Sequence, residues 1–338
     1  MRFIVVGAGR AGVARVKALL ATPSVASLAG VVSRRGVPLD CAPDAPVYRS
    51  VADVPADEYD AAIVCLENEA HSEAAHAAFA AGKHVLMEYP LATSAADAAG
   101  MAAAAAAAGR CLHVEHIELM ADAHVAMATA LRAALAEGSR VAHAAITMSG
   151  PPLPPGWGAL PFAGVARLFR LWDLLGPLRF VAASLRPAAS SAGGTAGLLA
   201  AEFVTSTGAR AEWREERCAE MSRTQRLVVT LTDGRVLDSD MMPMAPTVAG
   251  GPGLFTRDLL LFIARVRAVS SVATSTTSTC TSAITAATAG ATGTATDSDA
   301  LAEPGLQLPV PLAVELTIMA LVQEVQDASL VSSPHDAL

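Results

Sequence analysis

Phe3-Ile4-Val5-Val6-Gly7-Ala8-Gly9-Arg10-Ala11-Gly12, close to the start of the chain, decides how the rest is read. Four bulky apolar residues run into a glycine-rich turn, and residues 11–20 carry the spacing of a helix. Strand, turn and helix in that order are the setting in which G-x-G-x-x-G acts as a dinucleotide site. Gly7 is expected to make the tight turn, Gly9 to let a pyrophosphate approach the backbone, and Gly12 to let helix and strand pack closely. Free N–H groups at the helix start, from Arg10 and Ala11 onward, would face the negative charge. The bland reading is a glycine-rich turn in an alanine-rich chain. Strand, helix and N-terminal position together favour the dinucleotide.

Outward from this unit the strand–helix rhythm continues to about residue 120. Apolar strands are expected at 28–33, 61–66, 84–87 and 111–114, with helices at 71–81 and 95–108 between them. Ser94 with Asp97 three residues on reads as a helix start, and Gly109 as its stop. Such alternation implies parallel strands joined by right-handed crossovers, an α/β Rossmann domain over 1–120. The choice of dinucleotide is read about twenty residues after the glycines, where a carboxylate would hold the ribose hydroxyls of NAD. Here the second strand ends in Ser33-Arg34-Arg35, with no acidic residue before Asp40. A hydroxyl and two guanidiniums suit a 2′-phosphate, so NADPH is expected, with NADH possible. His71, at the start of a helix, is left without a role.

Residues 121–338 change character. A helix at 122–137 precedes a strand at 141–149, a proline-rich loop at 150–161 and a short helix near 164–175. Strand-like runs follow at 179–185, 200–205, 209–214, 227–231 and 235–237, the last after the turn Thr232-Asp233-Gly234. This is expected to be an α+β domain on a largely antiparallel sheet. Ala188 to Gly197 reads as small and flexible. The segment at about 269–299, nearly all Ser, Thr, Ala, Gly and Val, reads as a disordered insertion between two paired helices, or as an artefact of gene modelling.

The chain has 338 residues, enough for about two domains with real cores. It is 53% hydrophobic, much of that alanine, and lacks a run of the roughly 18–20 bulky apolar residues of a membrane span. A net charge of −8 argues against nucleic acid or an anionic membrane as partner. Five cysteines without a C-x-x-C pair read as reduced thiols. Without a presequence at its start, the chain is expected in the cytoplasm, an organelle being left open.

A second decisive stretch is Gly82-Lys83-His84-Val85-Leu86-Met87-Glu88-Tyr89-Pro90. A strand ending in Glu-Lys-Pro after a Rossmann unit marks the glucose-fructose-oxidoreductase-like dehydrogenases, in which the lysine handles the proton of a sugar hydroxyl. Here Tyr89 stands in that place. A phenol is protonated at neutral pH and suits donation better than abstraction. Together with Val31-Val32-Ser33-Arg34-Arg35, Leu112-His113-Val114-Glu115-His116-Ile117-Glu118-Leu119 and Pro161-Phe162-Ala163-Gly164-Val165-Ala166-Arg167-Leu168, this stretch resembles the A-type biliverdin reductases within that larger family.

That resemblance implies a nicotinamide cofactor and a small-molecule linear tetrapyrrole, biliverdin, bound between the domains, and hydride transfer to the bilin's central methine carbon. Glu88, Tyr89 and Arg167 become the catalytic candidates, Tyr89 assisting the proton step. Arg167, Arg170, Arg223 and Arg226 become candidates for the propionates, and Glu115 and Glu118 match acidic positions of the family. A solvated surface charge is the plainer reading of each arginine, least so for Arg167 in its apolar setting. His113 and His116 bracket Glu115 without a further ligand at zinc-like spacing, so no metal is expected. Val114 departs from the family, where a carboxylate is often found. Two other readings stay open: a sugar or polyol dehydrogenase that has lost its lysine, and a non-catalytic NADPH-binding sensor or scaffold.

Overall fold

A computed structural model describes residues 1–188, 194–242, 251–275 and 310–331. The first six strands are β1 (Arg2–Val6), β2 (Ser27–Val32), β3 (Val47–Tyr48), β4 (Ala61–Val64), β5 (His84–Met87) and β6 (Leu112–Val114). They form one sheet in the order β3-β2-β1-β4-β5-β6, with every pairing parallel. Helices α1 (Arg10–Leu20), α2 (His71–Ala80) and α3 (Ala95–Ala107) connect them. Because helices cover both faces, β1 and β4 are continuous apolar runs with no alternation, and Phe3, Ile4, Val5 and Ile63 are fully buried. The strand order reverses between β1 and β4, so a crevice opens at their carboxyl ends, where open α/β sheets bind ligands. The N-terminal α/β expectation therefore holds. Helix α3 starts where Ser94 accepts the Asp97 N–H at 3.0 Å, and Gly109, at φ +62°, turns the chain just beyond it.

The second unit opens with α4 (Asp122–Ala136) and builds on β7 (Val141–Gly150). Helices α5 (Leu160–Ala163) and α6 (Ala166–Leu175) follow, then β8 (Leu178–Pro187), β9 (Gly197–Thr205), β10 (Arg210–Arg217), β11 (Thr224–Leu231) and β12 (Val236–Asp238). The sheet order is β12-β11-β7-β10-β9-β8. It is largely antiparallel as expected, with one exception: β10 pairs with β7 in parallel. The cause is the crossover through α5 and α6, which sets β8 in the direction of β7; two hairpin steps later β10 arrives beside β7 with the same sense. Alternation is clean here. Ala144, Ile146 and Met148, then Leu199, Ala201 and Phe203, then Ala211, Trp213 and Glu215, all turn to the buried face.

The last two helices, α7 (Leu254–Ser275) and α8 (Leu312–Val331), depart from the expectation of a paired set. Leu259, Phe262, Ile263 and Val266 of α7 join Phe3, Val5, Val16 and Leu19 in the core of the first sheet. Ile318, Met319, Val322 and Val325 of α8 belong to the other core, which holds Leu160 and Phe162 of α5 and Ala98 and Met101 of α3. The chain thus returns to its N-terminal unit after completing the second sheet. Helix α7 also runs to Ser275, into the stretch expected to lack structure, because extending a formed helix needs no new nucleus. The rest of that expected insertion, residues 276–299, lies outside the described residues. So do residues 189–193 of the stretch read as flexible; beyond them Thr195 pairs with Leu153 and Gly197 begins β9. Cys41, Cys65, Cys111 and Cys218 are free thiols, and no helix among the described residues is long and apolar enough to cross a membrane.

Candidate active site

The cofactor end is shaped by what a side chain would strike. Gly7 sits at φ +112°, and a Cβ there would lie 2.3 Å from the Cys65 carbonyl oxygen. At Gly12 a Cβ would fall 1.9 Å from the Gly7 oxygen, so this glycine is what lets α1 meet β1. At Gly9 it would meet nothing within 4 Å, which leaves open space over an exposed turn. No side chain caps α1, so its first N–H groups, from exposed Arg10 and half-buried Ala11, are free for an anion. Ser33 is buried at the end of β2, with Arg34 and Arg35 exposed beyond it. Arg34 Nη2 lies 3.0 Å from Glu67 Oε2, a solvent-facing pair that an incoming phosphate can displace at small cost. The residues present fit a dinucleotide.

The substrate end forms at the carboxyl ends of β5 and β6. A pocket of about 190 Å³, open to solvent, is lined by Tyr89, Glu115, His116, Glu118, Leu119, Ala166 and Phe169. Arg167 lies behind it, 1% exposed, its Nη1 3.6 Å from Glu118 and its Nε 3.7 Å from Glu215. Burial pushes the Tyr89 phenol up to about 12, with the Glu118 charge adding to it and Arg167 opposing it. Tyr89 is therefore a standing hydrogen-bond donor that gives up its proton reluctantly. Burial, with the Glu88 charge nearby, likewise lifts the Glu115 carboxyl well above the usual carboxylate range. Its Oε1 accepts the Ile117 N–H at 2.5 Å, and its buried Oε2 has no hydrogen-bond partner.

Beneath the pocket runs a charged network that the sequence did not disclose. Arg15, wholly buried on α1, donates to Glu88 at 2.6 Å and pairs with Asp258 of α7 at 2.7 Å. It also lies over the Phe255 ring, 4.8 Å from its centroid. Asp258 reaches His113 Nε2 at 2.9 Å. Arg15 and the hydrogen bond with His113 hold Asp258 at about 2 despite its burial, and desolvation lowers His113. Glu88, expected among the catalytic groups, is thus tethered to Arg15 with a side chain only 13% exposed. His71 is equally buried, with Nδ1 2.9 Å from the Pro90 carbonyl oxygen, and helps seat the turn that carries Tyr89.

The other expected substrate residues divide. Arg223 stays exposed with its guanidinium 3.8 Å from Glu118, at the rim of the pocket. Arg170 is buried and donates to His124 Nδ1 at 3.2 Å; His124 in turn meets Asp173 at 2.8 Å. Arg226 is bound to Asp238 on the neighbouring strand, with Asp240 at 3.8 Å, and is not brought to the pocket. Glu215 was not anticipated at all: it accepts from Arg217 at 2.5 Å and from Trp213 Nε1 at 3.2 Å while facing Arg167. Among the described residues no cluster of His, Cys, Asp or Glu is arranged to hold a metal ion.

Two family models match the chain in succession. Residues 1–116 match one described as an oxidoreductase family with an NAD-binding Rossmann fold, and residues 130–246 match one described as biliverdin reductase, catalytic. Biliverdin reductase A of Mus musculus is 28% identical over 267 residues, which is 78% of this chain and 85% of that protein. Biliverdin reductase A of Homo sapiens is 33% identical over 186 residues, 54% of this chain and 60% of its own length. The crystal structure of biliverdin reductase from Synechocystis sp. PCC 6803, in complex with biliverdin and NADP+, superposes with a TM-score of 0.69. It covers 97% of this chain and 98% of that one at 22% identity, a likeness of fold.

Proposed function

We propose that this chain, a member of the oxidoreductase family that joins an NAD-binding Rossmann fold to a biliverdin reductase catalytic domain, uses NADPH to reduce biliverdin to bilirubin. The observation that carries the reading is Tyr89 in place of the family's lysine, facing a pocket backed by buried Arg167. Bound NADPH supplies the hydride. The turn at Gly7–Gly12 and the start of α1 would hold the pyrophosphate, and Ser33, Arg34 and Arg35 would take the 2′-phosphate.

Around the reacting centre the chain's own groups do three things. Tyr89 donates a hydrogen bond where charge develops on a pyrrole nitrogen, its phenol held in the protonated form by its surroundings. Arg167, buried with its Nε and Nη1 free of hydrogen bonds, stands behind Tyr89 with Glu118 and Glu215 at 3.6 and 3.7 Å and holds the charge balance behind the phenol. Arg223, exposed at the rim, is the better-placed cation for a propionate.

Mixing protein, NADPH and biliverdin is expected to bleach the red-region band of biliverdin and raise a bilirubin band in the blue. Tyr89→Phe should leave NADPH binding intact and lower turnover about tenfold or more. Unchanged turnover would make Tyr89 a packing residue. If NADPH binds but neither biliverdin nor a sugar or polyol panel is reduced, the protein is a cofactor-binding sensor.

A further inference from the structure

Resting on that reading, we propose that His116, oriented by Glu315 of α8, donates the proton that accompanies the hydride. His116 lines the pocket beside Tyr89 and stacks on Phe169, with ring centroids 4.2 Å apart. Its Nε2 lies 2.8 Å from Glu315 Oε2, and the two residues are 9% and 2% exposed. Glu315 sits in the first turn of α8, and its other oxygen is buried without a hydrogen-bond partner. His116 is thus the carboxylate's one side-chain partner among the described residues. A carboxylate removed from water needs a hydrogen-bond donor, and His116 Nε2 is the group placed to be it. With Nε2 engaged by Glu315, Nδ1 makes no hydrogen bond to a described residue and is the nitrogen left to serve the pocket.

The chemistry requires such a group. The methine carbon of biliverdin takes the hydride with its electron pair, a C–H bond forms, and the conjugated electrons move to a pyrrole nitrogen. That nitrogen takes the proton from Nδ1, leaving neutral imidazole, which is reprotonated from solvent. Biliverdin gains one hydride and one proton. Tyr89 holds its proton too firmly to be the first donor, and arginine does not give one up. Facing His116 are Glu315 from α8, Glu115 and Glu118 of its own loop, Tyr89 after β5 and His113 on β6, with Arg167 of α6 beside Glu118. Only the Glu315 contact is a hydrogen bond to the ring.

The test uses the full chain, His116→Gln and Glu315→Gln, each first checked for melting temperature and NADPH binding. His116→Gln should lower kcat 10²-fold or more with the NADPH KM unchanged, and should abolish the alkaline limb of the kcat–pH profile. Glu315→Gln should lower kcat about tenfold and displace that limb towards lower pH. Independently of turnover, ¹⁵N NMR of the histidines in the resting protein should lose one titrating imidazole in His116→Gln and show the same one displaced in Glu315→Gln. If His116→Gln keeps kcat within threefold and retains the limb, the proposal is overturned and His116 is a clamp for α8. Should that variant fail to fold, an unmoved limb and unmoved resonance in Glu315→Gln would overturn it equally. A parent enzyme inert towards biliverdin defeats the functional reading and this proposal together; an active parent with unaffected variants defeats this one alone.

Discussion

Burial, together with the Glu88 charge, raises the Glu115 carboxyl in the pocket wall, and stability should carry that signature. Folded Glu115 binds its proton more tightly than the unfolded side chain, with an ordinary value of 4.5, so its contribution to stability falls as pH rises above that value. Glu115→Gln should therefore raise the melting temperature at pH 8, and the gain should vanish near pH 4.5. A loss of stability at pH 8 would mean that the charged form is the one favoured. Arg34 and Arg35 are proposed as phosphate readers from the sequence alone, while the Arg34–Glu67 pair was not legible there, since the partners follow different strands. Replacing both arginines with alanine should raise the NADPH KM about tenfold or more and that of NADH far less. Equal effects would show that they do not read the 2′-phosphate.

Among elements, the N-terminal strands and helices could be read closely because short apolar runs and glycine turns are local signals. The second sheet could be read as strands but not as a topology: no pattern within β10 announces that its neighbour on one side is a parallel β7. Helix α7 was visible as an amphipathic segment, yet its destination was not. An amphipathic stripe states that a face is buried without stating where. The structure gives that destination a charge. Asp258 reaches from α7 to Arg15 on α1 with both side chains wholly buried. Removing one partner of a buried pair strands the other, so Asp258→Ala should cost about 3–5 kcal/mol in urea unfolding. Because Asp258 is held at about 2 against an ordinary 3.8, the pair's stabilisation is present above 3.8 and is lost as pH falls towards 2. A variant as stable as the parent at pH 7 would show that Arg15 finds water or another acid.

Across the whole molecule, the two units share one site because β5 and β6 of the first end, and α6 of the second begins, at the same pocket. The division at residue 120 read from the sequence marks where the chain changes style. It does not mark where packing ends, since α7 closes the first core from the far side of the second sheet. A fragment of residues 1–120 should accordingly bind a hydrophobic dye and unfold without a sharp transition. Adding residues 251–275 as a separate peptide should restore cooperativity. A fragment that melts sharply by itself would show that α7 is dispensable. The same feature sets an order of events during synthesis. Arg15 leaves the ribosome well ahead of its partners, since the Phe255 carbonyl it bonds lies 240 residues further on and Asp258 just beyond that. At roughly 5–20 residues per second, the nascent Rossmann unit waits on the order of ten seconds or longer with a bare cation and an open apolar flank. For that interval the flank stays open, and the maturation of the cofactor site is timed by a segment made 240 residues after Arg15.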